Sequence, residues 1–97
     1  MELWVRSQSK QTLIKAEKIF TEDEEVYATT NSEFNERIGV YKSKERALEV
    51  LDEIEERICL LNIMSLVNDT NLLISLKKVI GEDKIKGLSY PYQMPKD

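Results

Sequence analysis

An α+β fold, with an N-terminal antiparallel β-meander of four to five strands followed by helices, is predicted by two observations. Short β-branched and aromatic runs separated by turn residues fill the first forty or so positions. From Ser43 the period changes, and apolar residues recur at alternating spacings of four and three, which keeps them on one helical face. Strands that follow one another with no helix between them pair as an antiparallel meander. A length of 97 residues fits one domain, 1–97, divided into a sheet over 1–42, a long helix over 43–67, a second helix over 69–81 and an extended tail over 82–97.

The strands come in order. Leu3-Trp4-Val5 is the first, closed by the polar run Ser7-Gln8-Ser9-Lys10. Thr12-Leu13-Ile14 begins the second, and Ile19-Phe20-Thr21 is a third, or a continuation after a kink near Glu17. Glu22-Asp23-Glu24-Glu25 is a hairpin tip, because like charges repel and prefer water. Val26-Tyr27-Ala28-Thr29-Thr30 and Arg37-Ile38-Gly39-Val40-Tyr41 complete the meander.

Ser43 is the expected N-cap of the long helix, and Glu45 places a carboxylate in its first turn. Ala47, Leu51, Ile54, Ile58 and Leu61 form its apolar stripe, widened by Leu48, Val50 and Met64. Glu45, Glu49, Asp52, Glu53 and Glu56 line the other side, with Glu53 placed to pair with Arg57 one turn on. One flank of the stripe covers a four-stranded sheet. The other predicts an assembly interface, a homodimer or higher homo-oligomer through the helices. The second helix opens on Asn68-Asp69-Thr70, carries Leu72, Leu73, Leu76, Val79 and Ile80, and stops at Gly81. Two prolines in Lys86–Pro95 keep the tail extended, lying on a sheet edge or closing over a pocket.

The composition narrows the chemistry. A net charge of −4 argues against a reader of DNA or RNA backbones. With no histidine, triads with a histidine base are excluded, and three isolated glycines make no phosphate loop. The carboxylates cluster on a helix face and a loop tip, where solvation is their ordinary role. Cys59, the one cysteine, forms no internal disulfide and serves as a small helix residue. These features predict a non-catalytic protein with no metal and no cofactor. The opening Met1–Arg6 lacks the pattern of a signal peptide, and no apolar run approaches a membrane span, so a cytoplasmic protein without membrane contact is expected.

The residues best suited to a ligand lie at the strand-to-helix junction. A helix N-terminus offers unpaired N–H groups and a positive dipole end. Here it comes with Tyr41, Lys42, Lys44 and Arg46, three cations and a ring that can stack on a base. Trp4 and Arg6 alternate onto one face of the first strand, a second aromatic–guanidinium pair, and Tyr90 and Tyr92 can add rings from the tail. The candidate ligand-binding set is Trp4, Arg6, Tyr41, Lys44, Arg46 and Tyr92. Their ordinary roles are a surface ion pair for Arg6 and a neighbour of the helix cap for Arg46.

Three segments also resemble a family of small proteins from phages and prophages of Gram-positive bacteria. They are Leu3-Trp4-Val5-Arg6-Ser7-Gln8-Ser9-Lys10, the run Gly39 to Ile54 that reads GVYKSKERALEVLDEI, and Tyr92-Gln93-Met94-Pro95. The family pattern is "LW-RSQDK", "LG-Y-T-ERALEVLDEI" and "Y-MP", so Ser9 stands where aspartate is usual, and 59–80 is an insertion. The size, the sheet-then-helix order and the phage setting are similar to counter-defence sponges of the Thoeris anti-defence type. The resemblance implies capture, without cleavage, of a cyclic-nucleotide or ADP-ribose-derived immune signal in the host bacterial cytoplasm. Arg6 and Arg46 would hold phosphates, Lys44 would add charge, and Tyr41 or Tyr92 would stack on a base. The alternative is an inhibitor or regulator that lays its helix face on a host protein.

Overall fold

The computed structural model describes residues 3–30, 34–65, 74–75, 78–81, 87 and 90–97. Six strands and one long helix make an α+β fold: β1 (Leu3–Arg6), β2 (Leu13–Ala16), β3 (Lys18–Glu22), β4 (Glu25–Thr29), β5 (Asn35–Val40), α1 (Lys44–Ser65) and β6 (Tyr92–Gln93). All five N-terminal runs fold as strands. The acidic tip forms as expected, with Glu22 and Glu25 closing the β3–β4 hairpin and Asp23 at φ 52° taking the sharp reversal.

The meander is not one four-stranded sheet. It splits into two three-stranded sheets, ordered β2-β1-β6 and β3-β4-β5. The break falls at Glu17, whose N–H donates to the Thr29 carbonyl (2.9 Å) and turns the chain from one sheet into the other. Gln8 bridges the two. Its backbone N–H donates to Ile38 O (2.8 Å), while its side-chain amide donates to Val40 O (3.0 Å) and accepts from Val40 N–H (2.9 Å). One glutamine thereby satisfies part of the β5 edge, as a neighbouring strand would.

The tail is extended from Pro91 on and supplies β6, which runs parallel to β1 with Val5 opposite Tyr92 and Arg6 opposite Gln93. Within the tail expected to be extended from 82, Gly87 is helical and its carbonyl accepts from Tyr90 N–H (3.1 Å), while 82–86 and 88–89 lie outside the described residues. Of the second helix expected over 69–81, Ile74, Ser75 and 78–80 are described and helical, and Gly81 has the left-handed φ of 104° suited to a helix stop. The rest of that span, and the expected last turn at 66–67, lie outside the described residues.

Ser43 caps α1. Its Oγ accepts from Arg46 N–H (3.1 Å) and its carbonyl from Ala47 N–H (3.1 Å). Ala47, Val50 and Ile54 are fully buried on the strands, with Leu51, Ile58 and Leu61 half-buried beside them. Val50 thus belongs to the core, while Leu48 (42% exposed) and Ile63 (41%) turn outward. Leu3, Val5, Val26, Ala28 and Ile38 supply the sheet side, and Met94 enters from the tail. Among the described residues, no helix is long and apolar enough to cross a membrane.

Candidate functional site

The first turns of α1 and the tail meet in one polar cluster. The Arg46 guanidinium lies 5.9 Å from the Tyr41 ring centroid, donates to Glu49 (3.1 Å) and Glu53 (3.5 Å), and through Nε to the Asp97 carbonyl (2.9 Å). Tyr41 Oη donates to Pro95 O (2.9 Å), and Tyr92 Oη to the Glu53 carboxylate (3.2 Å). Arg57 donates to the Tyr90 carbonyl, and burial holds its guanidinium below its ordinary pKa. The expected Glu53–Arg57 ion pair is therefore absent, because Tyr92 and Arg46 take the carboxylate and the returning tail takes the arginine. Burial pushes the Tyr41 phenol up to about 12. Tyr92 is raised too, first by burial and then by the nearby Glu53 charge.

The structure sorts the six candidate residues into three places. Tyr41, Arg46 and Tyr92 come together, each engaged with a tail carbonyl or a carboxylate of the chain itself. Lys44 is exposed at the start of α1. Trp4 and Arg6 stand on the opposite face of β1 from the buried Leu3 and Val5. Trp4 is 43% exposed and faces Lys15 in register, while Arg6 lies between Leu13 and Gln93. Among the described residues, the Arg6 side chain has no hydrogen bond and no ion pair. The outer face of this sheet is therefore an open platform of indole and cation on an acidic protein.

Four residues where the tail meets β5 and α1 escape a search for ring and charge motifs: Gln8, Gly39, Glu53 and Met94. A Cβ on Gly39 would sit 2.9 Å from both Cε2 and Oη of Tyr41 and 3.2 Å from the Met94 methyl. The glycine in the junction motif is thus the space in which the Tyr41 ring lies. Gly39→Ala is expected to cost about 1–3 kcal/mol through overpacking, read as a lowered midpoint in urea with faster cleavage of the tail by protease. A variant as stable as the parent would mean the ring has room to spare. Ser9 accepts from Gln11 N–H (3.3 Å) and shares a hydrogen bond with Ser7 Oγ (3.0 Å).

A second surface is built on β3-β4-β5. The Phe20 and Tyr27 rings stack at 5.3 Å with their planes 13° apart, and Lys18 sits 5.5 Å from the Phe20 centroid. Tyr27 donates to Glu25, which also receives Arg37 (3.0 Å). These two bonds, the tyrosine first, hold the Glu25 carboxyl below its usual range. Compared with known proteins, the chain matches no family model, no curated protein and no solved structure.

Proposed function

We propose that the protein is a non-catalytic binding protein that captures a small anionic, base-containing ligand on the outer face of β1. The ligand class is the cyclic nucleotides and ADP-ribose derivatives, and the setting is phage counter-defence in the host cytoplasm, where capture withholds an immune signal. The observation that carries the reading is the pairing of the exposed Trp4 indole with the unengaged Arg6 guanidinium on one strand face. Residues two apart on a strand are about 7 Å apart, a span of the same order as that from a nucleobase to its phosphate. The indole offers a stacking plane and Arg6 a planar fork for phosphate oxygens. Tyr41, Arg46 and Tyr92 support this site at one remove, since they fix the tail whose β6 flanks Arg6.

The test uses purified protein incubated with a panel of cyclic nucleotides and cyclic ADP-ribose isomers, freed of unbound ligand, then heat-denatured. Intact ligand is expected in the supernatant. Trp4→Ala and Arg6→Ala are each expected to weaken capture about tenfold or more, with unchanged melting temperatures. No retained ligand, or normal capture by both variants, overturns the proposal. Recovery of an altered ligand would make the protein an enzyme instead. The exposed Leu48 and Ile63 on α1 favour a second reading, binding to a host protein, which predicts no ligand and one stoichiometric partner from host lysate.

A further inference from the structure

We infer that two copies of the chain join edge to edge through β3, in antiparallel register about a twofold axis at Phe20. Among the described strands, β3 pairs with β4 alone, and none pairs with its other edge. A two-residue turn makes Glu22 and Glu25 a hydrogen-bonded pair, and alternation then points the backbone groups of Phe20 and Lys18 toward β4 as well. The N–H and C=O groups of Ile19 and Thr21 point the other way. An antiparallel copy centred on Phe20 meets that phase: Ile19 bonds to the partner's Thr21, and Thr21 to the partner's Ile19.

The side chains agree with the same register. Lys18, Phe20 and Glu22 share the face that carries Tyr27, away from the buried Val26 and Ala28. The twofold axis puts Lys18 opposite the partner's Glu22 and Glu22 opposite the partner's Lys18. It sets Phe20 against the partner's Phe20, extending the observed Phe20–Tyr27 stack into a row of four rings. A shift of register by one residue breaks the hydrogen-bond phase, and a shift by two separates Lys18 from the partner's Glu22. The result is one six-stranded sheet. This surface differs from the helix-mediated interface expected of the sequence, and it is independent of the ligand platform on β1.

Sedimentation velocity across a micromolar series is expected to give a dimer for the parent chain. Lys18→Glu alone and Glu22→Lys alone each create two like-charge contacts and are expected to weaken the dimer about tenfold or more. Mixing the two single variants restores both pairs, so the mixture is expected to dimerise as the parent does, and so is the double variant Lys18→Glu/Glu22→Lys. Circular dichroism confirms that each single variant is folded. A monomeric parent, single variants that dimerise unchanged, or a mixture that stays monomeric overturns the inference. Restoration on mixing is also the readout that a merely unstable variant cannot produce.

Discussion

Met94→Ala is expected to destabilise the protein by about 2–5 kcal/mol, through the lost apolar transfer and the cavity left behind. Met94 is 1% exposed, and its backbone N–H donates to Arg6 O (3.0 Å), extending the β6 ladder along β1. Its methyl reaches Gly39, and the next residue, Pro95, accepts the Tyr41 hydroxyl. For a chain of this size each kcal/mol moves the melting temperature by about 4–8 °C, so a fall of about 10 °C or more is expected. The variant chain keeps its five N-terminal strands, while hydrogen exchange accelerates at the tail and along the β1 edge it covers. Met94→Leu nearly conserves volume and is expected to cost less than about 1.5 kcal/mol. Equal stability for Met94→Ala and the parent would show that the tail adds nothing to the core, and the latch would fall with it.

The contrast between strands and latch marks what the sequence makes legible. Val26-Tyr27-Ala28 reads as a strand because alternation is local, and Ser43 reads as a cap because its hydroxyl serves an N–H three residues on. The tail latch joins Gln8 to Lys96, Tyr41 to Pro95 and Arg46 to Asp97, contacts 88, 54 and 51 residues apart that no local pattern encodes. Ring and charge chemistry did bring Tyr41, Arg46 and Tyr92 into one set. It did not show that carboxylates and carbonyls of the same chain occupy them. The division into two sheets was partly legible in the kink expected near Glu17, whereas the Gln8 bridge to Val40 was not. Phe20 falls in the third β-run of the sequence, and only the register with Tyr27 shows which face of β3 it takes.

Between pH 10 and 12 the protein is expected to lose stability steeply, and Tyr41 and Tyr92 both drive the loss. The Tyr41 phenol is buried against Gly39 and Met94 and donates to Pro95 O, and the cost of placing a phenolate there pushes it up to about 12. An unfolded tyrosine titrates near pH 10, so above that value the unfolded chain releases a proton the folded chain retains. The stabilisation is therefore complete below pH 10 and is lost as the pH rises through 12. At about 1.4 kcal/mol per pH unit the Tyr41 share is about 3 kcal/mol. Tyr92 acts in the same direction, because burial and the Glu53 charge both oppose its phenolate. Tyr41→Phe is expected to sacrifice about 1 kcal/mol at neutral pH with its hydrogen bond, and to flatten the alkaline slope in return. Urea denaturation at a series of pH values measures that slope, and absorbance of phenolate near 295 nm shows whether ionisation of the buried rings coincides with unfolding. If Tyr41 instead ionises near pH 10 with the sheets intact, its ring is in water, and the tail does not hold the helix start.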